Sequence, residues 1–375
     1  MTTAGRVDAL AAAMGEADPS SLGAGERLRR QFSADDVAWA LTQAALRRKA
    51  ESKFTRAAQM LFTPDGWEQA SREEVARWRA ERFVAAGVTE VWDLGCGIGS
   101  DAMAFADAGL RVVAVELDPE TAAMAQHNLD LAGGGDVIVG RAEEARPPAG
   151  AAVFLDPARR TARGRTWNVA DFTPSWEFVL EHLAGERFVC VKLGPGVPKE
   201  ILPDGVQTMF VSHRGDVVEA SLWNRLEPGS RAVLLGDTPL ELTPEHSREL
   251  RVAPVGRYLL EPDGAVIRAG LLDAVAHGGD LWLLDPHIAY LSSAERVQTP
   301  FATTFEVLEV LDYDAKRLRT WVRDNAVGTL EIKKRGIEVD PATLRRQLKP
   351  KGPASATIIL ARTVEGTRAL VCRRI

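Results

Sequence analysis

The sequence predicts an α/β fold: an open, mostly parallel sheet carrying helices, with a helical region before it and a small α/β module after it. Three observations carry this. From Thr89 to Arg225, short apolar runs alternate with helical patterns, as expected for parallel strands joined by crossover helices. The first crossover starts in a glycine-rich turn, Gly95-Cys96-Gly97-Ile98-Gly99, with acids at Asp93 and Glu116 on either side. From Leu311 to Ile375 the charge changes sign, with 15 Lys and Arg against 7 Asp and Glu.

The elements follow in order. Residues 1–87 read as helical. Ser33 precedes ADDVAWALTQAALRRKA, apolar at helical spacing with acids in its first turn. Ser71, with Glu74 three residues on, predicts a capping box for the next helix. Between them Phe54, Met60, Leu61, Phe62 and Trp67 are expected in the core rather than in a lid over a ligand. Residues 88–225 form the sheet domain. Its predicted strands are Val91–Leu94, Arg111–Val115, Asp136–Val139, Ala151–Leu155 and Phe188–Leu193. Helices are expected over Asp101–Ala108, from Asp118-Pro119 through Leu131, and from Thr173-Pro174 onward. Two further strands, Thr208–His213 and Val217–Trp223, flank Arg214-Gly215-Asp216 as a hairpin and supply a reversed edge strand. Residues 226–304 read as an intermediate α/β segment, with strands at RAVLL and GRYLLEP and a helix at AVIRAGLLDAVA. Residues 305–375 close the chain: strand Phe305–Leu311, helix Asp314–Asn325, strand Thr329–Arg335, a helix capped by Asp340 and Pro341, and strands Ala356–Ala361 and Arg368–Arg374.

Composition narrows the function. The 375 residues are 46% hydrophobic and 26% charged, which suits a globular chain with ample core. No apolar run approaches the roughly 18 residues of a membrane helix. The N-terminus lacks a basic start followed by an apolar block, so a cytoplasmic protein is expected. Cys96, Cys190 and Cys372 are isolated and the histidines scattered, which argues against disulfides and against a metal site. The net charge of −6 divides into +8 from Leu311 onward and −14 before it, so the tail is expected to meet a polyanion.

The glycine turn points to a nucleoside. Glycines let the backbone turn sharply and let a ligand approach closely, and an acid at the tip of the second strand can accept both ribose hydroxyls. A dinucleotide fingerprint has GxGxxG. Here the spacing is GxGxG with Ser100 following, and Asp93 would repel a pyrophosphate but pair with an ammonium. This segment resembles motifs I and II of the class I S-adenosylmethionine-dependent methyltransferases, which have a Rossmann-like sheet. The resemblance implies that Asp93, Gly95, Gly97 and Gly99 lie against the methionine part of S-adenosyl-L-methionine, and that Glu116, with Leu117 beside it, binds the ribose. Arg141 stands where an acid commonly receives the adenine, so Ala142 and Glu143 are expected to supply that contact. The stretch TLEIKKRGIEVDPATLRRQLKPKG, with MLFTPDGWEQA, DPARR and GRYLLEP, resembles a bacterial group of these enzymes with a C-terminal THUMP-like domain. True THUMP domains help RNA-modifying enzymes dock tRNA, so RNA is the implied partner.

Ligands of such sheets bind at the carboxyl ends of the strands. The fourth strand ends in Asp156-Pro157-Ala158-Arg159-Arg160. In amine-methylating relatives an acid or Asn there precedes Pro-Pro and an aromatic. Asp156 and Pro157 are therefore the implied catalytic pair, aiming an exocyclic amine at the sulfonium methyl. Ala158 and Arg159 depart from that pattern. Arg159, Arg160, Arg163 and Arg165 with Trp167 suit phosphate contact and base stacking. Cys190 reads as core, which favours nitrogen over carbon as the target. Lys192 and the turn LGPGVP face the same cleft and are expected to shape it without chemistry. Transfer to a protein or a small molecule, and a non-catalytic RNA-binding role, remain alternatives on sequence.

Overall fold

A computed structural model describes residues 4–158, 160–161, 164–165, 167–244, 249–276 and 279–375. The chain divides into two compact units. The first is Met1–Gln207 with Ala220–Pro228, and the second is Thr208–Glu219 with Gly229–Ile375.

The first unit opens with helices α1 (Ala4–Met14), α2 (Leu22–Leu28), α3 (Ala34–Ala50), α4 (Pro64–Gln69) and α5 (Glu73–Ala85). The helix expected after Ser33 forms as α3, and Ser33 caps it, accepting from the Asp36 amide at 3.2 Å. The capping box at Ser71 does not form: Arg72 occupies the cap position, and the Ser71 hydroxyl donates instead to Asp101 at 2.9 Å. A buried carboxylate out-competes a helix terminus as partner because charge-assisted bonds are the stronger ones.

The sheet follows: β1 (Glu90–Leu94), α6 (Ser100–Asp107), β2 (Arg111–Glu116), α7 (Pro119–Asp130), β3 (Asp136–Val139), β4 (Ala152–Leu155), the ribbon β5 (Arg160–Thr161) and β6 (Gly164–Arg165), α8 (Trp176–Ala184) and β7 (Val189–Leu193). Asp118 and Pro119 start α7 as expected, Asp118 accepting from the Thr121 amide at 2.8 Å. Thr173-Pro174 does not open α8. Thr173 pairs with Ala158 as an isolated bridge, and Ser175 is the cap, accepting from the Phe178 amide. Two more strands are β8 (Gln207–His213) and β9 (Asp216–Trp223), and β9 passes from the second unit into the first. Within the first unit the strand order is β9-β7-β4-β1-β2-β3, parallel except for β9, which supplies the reversed strand. Cys190 is fully buried in β7, as expected of a core residue.

In the second unit β10 (Gly229–Leu235) and β11 (Leu240–Leu242) continue the order β11-β10-β8-β9. A seven-stranded sheet then forms in the order β13-β14-β12-β15-β18-β17-β16, from β12 (Tyr258–Pro262), β13 (Trp282–Asp285), β14 (Ile288–Ser293), β15 (Ala302–Asp312), β16 (Val327–Arg335), β17 (Ala354–Thr363) and β18 (Gly366–Arg374). The helix expected at AVIRAGLLDAVA is shorter: α9 (Gly264–Ala269) stops at Gly270, which takes a left-handed conformation at φ 75°. Helices α10 (Ala315–Asp324) and α11 (Pro341–Leu348) bury Leu318, Val322, Leu344 and Leu348 against Leu330, Ile358 and Leu360. Among the described residues no helix is long and apolar enough to cross a membrane, and no cluster of three His, Cys, Asp or Glu side chains could hold a metal ion.

Candidate active site

Strand register builds the site. Asp93 of β1 stands in register with Phe154 of β4, and Phe154 with Cys190 of β7. Side chains alternate along a strand, so Asp156 lies two residues beyond Phe154 on the same face. The β4–β7 pairing ends at Leu155 against Val191, which sets Asp156 beside Lys192. The Lys192 ammonium donates to Asp156 at 2.5 Å and to the Gln69 carbonyl at 3.4 Å, and lies 4.0 Å from Asp101. Asp101, in the first turn of α6, also pairs with the fully buried Arg79 of α5. The Arg79 guanidinium lies over the Phe154 ring, 4.9 Å from its centre.

The glycine turn folds over β2. The Gly95 and Cys96 amides donate to the Val115 carbonyl. Glu116 is fixed from two sides, accepting from the Gly97 amide at 2.9 Å and the Asp118 amide at 3.0 Å. Gly99 is the cap residue of α6, at φ 77°, and a Cβ there would press on Ala125 at 3.3 Å. It therefore serves the packing of α6 on α7 rather than lining the cleft.

A cleft of about 340 Å³ opens at these strand ends. It brings together Asp93, Gly95, Gly97, Glu116, Leu117, Ala142, Glu143 and Asp156. Asp93 is 1% exposed, and among the described residues neither carboxylate oxygen has a hydrogen-bond partner. Burial first, then the charges of Asp101 and Asp156, hold its carboxyl well above the usual carboxylate range, against the pull of Lys192 and Arg79. A buried carboxylate without a donor is costly, so a ligand cation is the natural complement. Burial also pushes the Cys96 thiol well up, and Cys372 to about 12, so neither is poised as a nucleophile.

The remaining expected residues differ in where they lie. Pro157 is buried beside Asp156 and does not line the cleft. Trp167 packs by Gly196 in the turn after β7. Arg160 and Arg165 pair through their backbones in the ribbon, and their side chains lie outside the described part. Arg159 and Arg163 lie outside the described residues altogether. Arg141 lines the cleft 3.7 Å from Glu143.

Sequence reasoning missed the cover of the cleft. Thr63, Asp65, Gly66, Gln69 and Ala70, on and around α4, line it opposite the strand ends. Two buried amides hold the preceding segment. Gln43 exchanges bonds with the Phe62 backbone at 2.7 and 2.9 Å, and Asn128 does so with Leu61 while also donating to the Ile98 carbonyl. Gly66 then lies so close to the turn that a Cβ would sit 2.4 Å from the Ile98 side chain. Of the residues expected in the core, Phe54, Met60, Leu61 and Phe62 are buried, whereas Trp67, on α4, is half-buried against that core.

Comparison with known proteins identifies the family. Residues 92–153 match a family described as a methyltransferase domain, residues 302–374 one described as THUMP domain-like, and residues 1–50 a domain of unknown function. Proteins from two strains of Mycobacterium tuberculosis, each named an uncharacterized S-adenosylmethionine-dependent methyltransferase, are 35% identical over 364 residues, covering 92% of this chain and 99% of theirs. A crystal structure from Porphyromonas gingivalis, described as a candidate methyltransferase, shares the fold with a TM-score of 0.74 at 22% identity, covering 92% of both chains. The unpaired acid at the cleft floor and the fixed acid at the tip of β2 fit the ammonium and the ribose of S-adenosylmethionine. The chain belongs to the S-adenosylmethionine-dependent methyltransferases, as a class I enzyme with a THUMP-like domain at its C-terminus.

Proposed function

We propose that this enzyme methylates a base of RNA, at nitrogen, and that its THUMP-like domain grips the RNA. The observation that carries the reading is the charge of that domain: +8 from Leu311 onward on a chain of −6. Its cations lie outward on α10 and α11, including Lys316, Arg317, Arg319, Arg345 and Arg346. A surface of this kind neutralises phosphates and releases their counterions. RNA docking is also what the resemblance to THUMP domains implies.

In the cleft, Asp93 would pair with the cofactor's ammonium and Glu116 would accept the ribose hydroxyls, with Leu117, Ala142 and Glu143 around the adenine. Gly95 and Gly97 would let the methionine part approach the backbone, and Gly99 would support the turn from below. When bound, the cofactor supplies an electrophilic methyl group. Asp156 would accept a hydrogen bond from an exocyclic N–H and aim the nitrogen, with Pro157 stiffening that turn. Arg159, Arg160, Arg163, Arg165 and Trp167 would supply phosphate contacts and base stacking to the RNA. Nitrogen is favoured because the thiols do not suit a carbon route: Cys190 is buried in β7, and Cys96 sits in the glycine turn, where burial disfavours its thiolate.

The test is nucleoside mass spectrometry of RNA from strains with and without the gene. One methylated nucleoside should vanish on deletion, return with the wild-type gene and stay absent with Asp156→Ala. An unchanged set of RNA nucleosides would contradict the proposal.

A further inference from the structure

We infer that Lys192 is a positioning residue for the methyl acceptor: by holding one oxygen of Asp156, it leaves the other to receive an N–H, and so restricts the acceptor to a hydrogen-bond donor. The inference rests on the methyl-transfer reading of Asp156 and goes beyond it.

The geometry comes from the strands. Register alone sets Lys192 beside Asp156 at the ends of β7 and β4. Only 11% of the Lys192 side chain is exposed, and its ammonium is shared among Asp156, the Gln69 carbonyl and Asp101. The head group is therefore fixed from three elements, β4, α4 and α6. Asp101 is fixed in turn by Arg79 and by the Ser71 hydroxyl. Asp156 is held through one oxygen, Oδ2, and its Oδ1 has no bonding partner among the described residues. Asp156 lines the cleft shared with Asp93, Gly95 and Glu116. A carboxylate with one oxygen pinned and the other facing a cleft accepts a hydrogen bond in one direction only. That suits an amine or amide nitrogen and disfavours an acceptor without an N–H.

The reaction then balances without a further reagent. The acceptor nitrogen forms its bond to the methyl carbon as the carbon–sulfur bond breaks, and that electron pair stays on sulfur. The nitrogen's surplus proton passes along its hydrogen bond to Asp156 and on to water. Lys192 does not line the cleft whereas Asp156 does, so its effect runs through Asp156.

The experiment uses the full-length protein as wild type, K192M, K192R, D156N and the double variant D156N/K192M. Each is assayed for transfer of labelled methyl from S-adenosylmethionine to the RNA, protein and small-molecule fractions of a strain lacking the gene. Affinity for S-adenosylmethionine and melting temperature are measured alongside. K192M should lower kcat by about a hundredfold, the usual cost of misplacing a reacting group by about an ångström, with cofactor Kd changed by less than about threefold. K192R should restore part of the rate. The double variant should be no slower than D156N, because residues that act as a unit are not additive. Should K192M lose its fold, K192Q takes its place with the same expectation. Full turnover by K192M, or losses that multiply in the double variant, would overturn the assignment. Label in protein or small molecules would end the RNA reading, and the same variants would then judge Lys192 on that acceptor. No transfer to any fraction would overturn both.

Discussion

The cleft at the strand ends and the THUMP-like domain treat charge in opposite ways. Asp93 and Asp101 line the cleft, Arg79 and Lys192 pair with its acids from behind, and all four are nearly or fully buried; Asp93 has no hydrogen-bond partner among the described residues. In the THUMP-like domain the charges of α10 and α11 lie at the surface, and Glu306, on the central strand β15, is neutralised by the exposed Arg257 and Arg373, from which it accepts. Buried charge acts at short range and selects a ligand by its complement. Exposed charge is screened within about 10 Å at 0.1 M salt and selects only a class of partner. The first region therefore names its ligand more sharply than the second.

The largest expected effect breaks this contrast at its buried end. Asp93→Asn should weaken S-adenosylmethionine binding by about 2–5 kcal/mol, the usual loss when one member of a buried charged pair is removed, or roughly thirtyfold and more. Stability without ligand should move the other way. The Asp93 carboxyl keeps its proton in the folded chain above the pH where the unfolded chain has lost it. Folding therefore weakens as pH rises from the ordinary carboxylate range through the raised folded pKa. The variant should lose that slope in thermal melts while losing affinity in calorimetry.

Next comes the exposed end. Arg345→Glu with Arg346→Glu should weaken RNA binding by roughly tenfold near 0.1 M salt. The slope of its salt dependence should flatten by about 0.7–0.9 for each phosphate no longer neutralised. Affinity for S-adenosylmethionine should not change. Filter binding across a salt series checks both, and an RNA affinity unaffected by the double reversal would remove the domain from the interface.

A smaller effect probes the cover of the cleft. Gly66→Val would set a side chain against Ile98 and Thr63 and push α4 off the glycine turn. Overpacking of this kind costs about 1–3 kcal/mol, so cofactor affinity should drop about tenfold while the sheet still melts cooperatively. The smallest concerns Lys53, which donates to the Trp67 and Glu68 carbonyls at the end of α4. Burial, with the charges of Lys192 and Arg72, brings its pKa down to about 8. Between about 8 and the ordinary value of 10.5 the unfolded chain holds a proton that the folded one has released. Stability from this group therefore rises with pH across that window. Lys53→Met should remove the rise, so the variant's melting temperature relative to wild type should fall from about pH 8 to about pH 10.

What the sequence made legible was local. Asp118 with Pro119, and Asp340 with Pro341, mark helix starts because cap and helix are neighbours in the chain. Asp93, the glycines and Glu116 are readable because a single strand–turn–helix–strand unit brings them together. Ser71 misled because its partner, Asp101, is 30 residues away and buried. Lys192 looked inert because its pairing with Asp156 depends on the β4–β7 register, which neither strand encodes alone. The cover over the cleft was hidden for the same reason: Gln43 and Asn128 hold it from α3 and α7, and nothing near residue 62 announces them.

The most direct test of the account follows labelled methyl from S-adenosylmethionine, with wild-type protein and the RNA of a strain lacking the gene. The account predicts label in RNA, recovered after digestion as one N-methylated nucleoside, and lost with Asp156→Ala although that variant still binds the cofactor. Label recovered only in protein or small molecules, or a C-methylated nucleoside, would contradict it.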